Sequence, residues 1–347
     1  MVPALSVADA LRAEGARVVF VGGERAEAQL VPAAGYELRT IVVEGLSRTN
    51  PVKAARAVAR AAGAVGAARA ILRELHPGAV LGGGGYVAGP VGLAAVLGGI
   101  PLVLAEADSH LGLANRLLAP RARRVCLAFP LPGRDGPRYV VTGRPVPPPA
   151  TDRSAARDRF GLEPDDVCVL IFGGSLGARS INEAAVAAFA DAPFRVLHAC
   201  GERDLAALKA RLREQGTDPA RYDLRPYIDS FGEALLAADL VIARSGGSVF
   251  EIAAHGRPAI LVPYPHATAD HQRTNAEWMV QGGAAVIVPD AALTAARIGD
   301  EVAALLDDAQ RLQKMGLASA ALARPDAARD VALQTLVAAG TSAPAPI

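Results

Sequence analysis

The sequence predicts an α/β protein built from two parallel, doubly wound sheets, on three observations. Short apolar runs rich in valine, isoleucine and leucine alternate with helical patterns along the chain. That is how strands read when crossover helices bury both faces of a sheet. A length of 347 residues suits about two domains. A stiff segment, Pro145-Val-Pro-Pro-Pro149, interrupts the alternation near the middle, as a domain boundary would. The expected division is 1–145 and 146–340, with the last helix able to pack back on the first domain, and a loose Pro/Ala-rich tail at 341–347.

The chain opens in an amphipathic helix, Pro3 to Glu14, closed by Gly15. Strands are expected at 17–21 and 36–43, then a polar loop and a long helix from Pro51 to Leu75 carrying Lys53, Arg56, Arg60, Arg69 and Arg73. A solvated face explains those charges, and so does a surface for anionic lipid headgroups. A strand from Gly78 runs into Gly82-Gly-Gly-Gly85 and a helix to Leu97. Strand 101–105 ends in Glu106, with Asp108, His110 and Asn115 on the following loop and helix, and strands 124–129 and 138–142 complete the first half. A parallel α/β domain ordinarily starts with a strand, so a helix-first opening means either that the domain lacks its first βα unit or that the chain begins late, and Met1 is expected to be an internal start. The second half restarts at 167–172 and runs into Gly173-Gly-Ser-Leu-Gly177. Strands follow near 194–199, 222–226, 239–243, 258–262 and 284–288, with closing helices near 293–306 and 326–339.

Composition excludes several classes. With 36 Lys+Arg against 35 Asp+Glu, no global field recruits nucleic acid. A hydrophobic fraction of 51% with 4% aromatics describes an aliphatic core ample for a large α/β protein. Cys126, Cys168 and Cys200 sit singly in apolar runs and read as buried thiols in a reducing, cytosolic compartment. No apolar stretch reaches the roughly eighteen residues of a spanning helix, and no signal peptide is visible.

The chemistry concentrates between Arg244 and Asn275, RSGGSVFEIAAHGRPAILVPYPHATADHQRTN. Two strand-to-helix turns here place two helix starts on one sheet edge, where phosphates are bound best. Ser248, Glu251, Asp270, Gln272 and Asn275 supply polar groups suited to a ribose, a diphosphate and a sugar. Ser248 and Glu251 also fit a capping box, a purely structural explanation. Gln272 and Asn275 share a helix face. His266 reads as a loop residue without a role. Glycine turns at 82–86 and 173–177 offer two more close approaches to a phosphate. Gly83, Gly85, Ala88 and Glu106 also fit a dinucleotide fingerprint, so a nicotinamide oxidoreductase is an alternative. Glu106, Asp108 and His110 have no second cluster to complete a metal site, and none is expected.

Seven segments in order resemble the MurG family of glycosyltransferases: VPALSVADALR, GGYVAGP, GLANRLLAP, GGSLGARSIN, YIDSF, RSGGSVFEIAAHGRP and DHQRTNA. The resemblance implies a GT-B-like fold, two Rossmann-like domains facing across a cleft. It implies inverting transfer of N-acetylglucosamine from UDP-N-acetylglucosamine to undecaprenyl-linked lipid I without metal or cofactor, at the anionic cytoplasmic face of the inner membrane. By matched motif, Ser175 would touch the diphosphate, Ile228 would pack on uracil and Glu251 would hold the ribose. Gly246, Gly247, Ser248, Val249 and Phe250 would line the donor turn, and Gln272, Asn275 and His271 would meet the donor sugar. Tyr86, Glu106 and Asn115 would line the acceptor side, with Glu106 or Asp108 as base. The family's opening strand and GGTGGH-like loop do not precede VPAL here. Its His-Glu-Gln-Asn is replaced by Ala105-Glu106-Ala107-Asp108, and its Gly-Asn-Pro-Val-Arg by Gly143-Arg144-Pro-Val-Pro147. A related glycolipid synthase and a catalytically silent nucleotide-sugar binder stay open.

Overall fold

The computed structural model describes residues 1–43, 51–174, 177–267 and 270–340, apart from the side chains of 51–62. Ser175, the residues 44–50 and 341–347 where a polar loop and a loose tail are expected, and the side chains of Lys53, Arg56 and Arg60 lie outside the described residues. The chain divides into two compact units, Met1–Pro147 with Arg324–Ile347, and Pro148–Ala323.

In the first unit, α1 (Val2–Ala13) precedes β1 (Val19–Gly22), α2 (Ala26–Ala33), β2 (Glu37–Thr40), α3 (Pro51–Leu75) and β3 (Val80–Gly82). Then come α4 (Gly85–Leu97), β4 (Leu102–Glu106), α5 (Leu113–Leu118), β5 (Arg124–Leu127) and β6 (Tyr139–Val141). Every pairing is parallel, but the strands form two sheets, β1-β2 and β3-β4-β5-β6. Helix α2 carries Pro32 in its last turns and is short, which is why its helical pattern is faint in the sequence.

The second unit holds α6 (Arg153–Arg159), β7 (Cys168–Phe172), α7 (Arg179–Phe189), β8 (Arg195–Ala199), α8 (Glu202–Glu214) and β9 (Tyr222–Arg225). It continues with α9 (Phe231–Ala237), β10 (Leu240–Ala243), α10 (Ser248–Ala254), β11 (Ala259–Leu261), α11 (His271–Gln281), β12 (Ala285–Ile287), α12 (Ala295–Leu306) and α13 (Ala309–Leu322). Its six strands lie in the order β12-β11-β10-β7-β8-β9, all parallel. Chain direction across the sheet therefore reverses between β7 and β10, the switch point where doubly wound folds bind nucleotides. Strands β7 and β10 are buried at every residue, so only their carboxyl ends and loops are free to meet a ligand. Helix α14 (Ala327–Ala339) returns to the first unit, where Val331, Ala332 and Ala338 share a core cluster with Val7, Leu11, Val103 and Cys126. Cys126, Cys168 and Cys200 are buried, and burial pushes the first two thiols up to about 12.

One polar row crosses the core of the second unit. Asn182 is fully buried and its amide donates to the Cys200 carbonyl at 2.8 Å and to Asp204 Oδ2 at 3.0 Å. Both amide hydrogens are then committed, so Asn182 Oδ1 can only accept, and His198 Nε2, 3.1 Å away, must carry the proton. His198 Nδ1 accepts from the Tyr222 hydroxyl at 2.9 Å. Full burial holds this imidazole neutral, its pKa lowered to about 3.

A proton refused by the fold but taken up by the unfolded chain makes stability fall on acidification, starting near the ordinary imidazole value of 6.5 and continuing toward 3. Between pH 6.5 and 5 the expected loss is about 2 kcal/mol, at roughly 1.36 kcal/mol per pH unit. Urea unfolding at the two pH values checks this: His198→Gln should lose about 2 kcal/mol less than the wild type over that window, and equal losses would contradict it.

Candidate functional site

The loops leaving β10 and β11 are stitched together by side chains from both. Ser245, wholly buried, donates its hydroxyl to the Gln272 carbonyl at 2.7 Å. Asn275, 2% exposed, donates its amide to the Ser245 carbonyl at 3.0 Å. Gln272 turns its side-chain oxygen to the Tyr264 N–H at 3.0 Å, and its amide nitrogen lies 3.9 Å from where a side chain on Gly246 would begin. The first turn of α11 thus lies against the glycine turn that starts α10. Gln272 and Asn275 do share a face, and it is the face toward Gly246. Among the described residues Asn275 Oδ1 has no hydrogen-bond partner although it is buried, which leaves an acceptor in this wall.

Arg244, 8% exposed, clamps the same edge. Its guanidinium donates to the Val262 and Pro263 carbonyls at 3.1 and 3.2 Å and to Ser180 Oγ at 2.9 Å, and pairs with Asp290 at 2.6 Å. Ser180 in turn donates to Asp290 at 2.7 Å. The carboxyl ends of β10 and β11, the start of α7 and the turn after β12 are tied to one buried cation that is both paired with a carboxylate and hydrogen-bonded, the condition under which a buried ion pair is tolerated. Sequence reading singled out the Arg244–Asn275 stretch without giving Arg244 or Ser245 a role. A cation directly after a fully apolar strand was the available signal.

Ile228 lies on the same edge, after β9, and is 3% exposed. Phe231 at the start of α9 packs edge-on against Phe172, the last residue of β7, with ring centres 4.9 Å apart, which draws the 226–230 segment toward the switch point. Val249 and Phe250 are buried and offer backbone only, while Gly246, Gly247, Ser248, Glu251, His271 and Gln272 are half-buried. The capping box expected from Ser248 and Glu251 does not form. Gly247 occupies the cap, Ser248 is already helical, and no side chain caps α10. Asp270, the cap of α11, sits in the left-handed region at φ 53°, strain of a kind that collects at ligand sites.

The first unit gathers a second group of candidates around β4. Glu106 is buried, and its two oxygens accept from the Asp108 N–H at 3.2 Å, the Gly112 N–H at 2.8 Å and the Asn115 amide at 2.9 Å. Its carboxylate is spent shaping the 107–112 loop. That leaves it badly placed to hold ribose hydroxyls, as the dinucleotide alternative requires. Asn115 reaches the underside of the 82–86 turn, its amide 3.7 Å from where a Gly84 side chain would begin. Tyr86 stands beside it, its hydroxyl 3.4 Å from Glu27 Oε1 and its ring beneath the Arg25 guanidinium. Asp108 is nearly half-exposed, 3.8 Å from Arg144, which also donates to the Ala107 carbonyl at 3.0 Å. Among the described residues no group of three or more metal-ligating side chains comes together. A cavity of about 560 Å³ opens at the opposite, amino-terminal strand edge of the second unit between Asp166, Arg195 and Arg221, and holds none of these residues.

Residues 1–127 match the glycosyltransferase family 28 N-terminal domain, and residues 168–331 its C-terminal domain. The chain is 41% identical to the UDP-N-acetylglucosamine–N-acetylmuramyl-(pentapeptide) pyrophosphoryl-undecaprenol N-acetylglucosamine transferase of Moorella thermoacetica, over 94% of this chain and 92% of that protein. It is 40% identical to the protein of the same name from Halorhodospira halophila, over 95% and 92%. Among solved structures it is similar to Acinetobacter baumannii MurG, with TM-score 0.75, 30% identity, and 96% and 95% of the two chains covered.

Proposed function

The chain belongs to glycosyltransferase family 28 and, within it, to the MurG enzymes, and on that premise we propose that it transfers N-acetylglucosamine from UDP-N-acetylglucosamine to lipid I, forming lipid II. The observation that supports this best is the joined edge of the second unit, where the β10 and β11 loops are stitched at the switch point of a 3-2-1-4-5-6 sheet. Family membership assigns a GT-B fold, and the parallel sheets fit it. In this reading the glycine turns after β7 and β10 receive the diphosphate, whose charge grows as UDP leaves. Ile228 meets the uracil, Glu251 the ribose, and Gln272, Asn275 and His271 the donor sugar, with Ser175 at the diphosphate.

Tyr86 and Asn115 line the acceptor side. The acceptor hydroxyl attacks the anomeric carbon from the face opposite UDP and gives its proton to a base. Of the two carboxylates that the sequence offers, Asp108 suits this better, because both oxygens of Glu106 already serve loop N–H groups. A lipid-linked acceptor implies contact with an anionic membrane, and the basic helix α3 with its neighbouring loops is the surface proposed for it. Among the described residues no helix is long and apolar enough to cross a membrane.

Calorimetry tests the donor assignment: UDP-N-acetylglucosamine should bind at least about tenfold more tightly than UDP-glucose, a difference near 1.4 kcal/mol, and NADH not at all. Binding of NADH in place of the UDP sugar would reverse the reading. Asp108→Asn should lower kcat by about 10²-fold or more with donor affinity kept, and unchanged turnover would exclude Asp108 as base. Charge reversal at Arg56 and Arg60 should reduce co-sedimentation with anionic vesicles, and full retention would remove α3 from the membrane surface.

A further inference from the structure

We infer that His198 and Asn182, which the donor reading leaves out, are positioning residues that hold the glycine turn after β7 where a diphosphate must find it. The inference rests on that reading and adds the side chains that set the turn. Gly177 has φ +72°, and a Cβ there would collide with the carbonyl of Cys200. Gly177 therefore lies directly on the carbonyl of the residue that follows β8, closer than any other residue type allows. Gly177 N–H donates to the Gly174 carbonyl at 3.0 Å, and a Cβ on Gly173 would collide with the backbone of Ala178. The Cys200 carbonyl therefore sets where Gly177 stands, and Gly173 and Gly174 are packed or bonded to Gly177 in turn.

That carbonyl is gripped by Asn182 Nδ2 at 2.8 Å. Asn182 belongs to α7, the helix the turn feeds, so one side chain couples the turn, its helix and the neighbouring strand. Its amide is kept in this orientation from behind by His198 Nε2–H, and from the side by Asp204, which also pairs with Arg179 in the first turn of α7. His198 and Asn182 are fully buried and offer a ligand nothing directly. They act through Gly177. A turn tailored to backbone–phosphate contact tolerates little displacement, because its N–H groups must arrive at hydrogen-bond distance.

Two amide substitutions of similar chemistry separate the roles. In His198→Gln the side-chain amide reaches the position of Nε2 and still donates to Asn182. In His198→Asn it reaches only the position of Nδ1, keeping Tyr222 and abandoning Asn182. Calorimetry on the intact chain compares UDP with uridine, which lacks the diphosphate. In His198→Asn the preference for UDP over uridine should fall at least about tenfold with uridine affinity held within about threefold, and His198→Gln should keep the wild-type preference. Thermal melting checks that each variant is folded, and Asn182→Ala takes the place of His198→Asn if the latter is not. An unaltered preference, or UDP and uridine weakened by one common factor, would overturn the inference. A wild-type chain that binds uridine and UDP alike would instead strike the donor reading, and this inference with it.

Discussion

The amide of Asn275 bonded to the Ser245 carbonyl is the interaction on which the candidate donor site depends. A parallel sheet delivers each strand to the same edge but does nothing to fix one loop against the next. Here the first turn of α11 reaches across to the β10 loop, and Ser245 reaches back to Gln272. Both partners are buried, so an unmade bond would strand a carbonyl away from water at a cost of about 1–3 kcal/mol. The two loops are consequently held as one wall. Arg244 fixes the base of that wall by tying the ends of β10 and β11 to Ser180 and Asp290.

Preorganisation of this sort is what transfer from a nucleotide sugar demands. The departing diphosphate gains charge in the transition state, and donors already in place stabilise it without reorganising. Glycine supplies the approach, and buried polar side chains supply the stiffness that glycine lacks. The first unit uses the same device differently: Glu106 orders the 107–112 loop through three N–H donors and leaves Asp108 half-buried beside Arg144.

Much of this was legible in the sequence, because strands buried on both faces leave uninterrupted apolar runs, and β3, β7 and β10 run into glycine turns. Strands β7 to β12, the pairing of Gln272 with Asn275 on one helix face, and the Ser248 helix start all follow from local pattern. Other features depend on which distant groups meet. Glu106 reads as a ribose acid or a base until its three donors are seen. The Ser248–Glu251 capping box fails because the chain turns one residue earlier, at Gly247. Helix α13 was missed because its alanines and serine blur the apolar stripe, although Asp308, whose side chain accepts from Arg311 N–H, marked its start. His198 looked like one more strand residue, since its partners come from α7 and β9.

Amide hydrogen exchange with and without UDP-N-acetylglucosamine tests the central claim most directly, because it reports where the nucleotide sugar sits without perturbing any residue. The account predicts new protection in 173–179, 226–231, 244–251 and 264–275, with 82–88 unchanged. Protection confined to 82–88 and 106–112 would place the nucleotide on the other unit and contradict it.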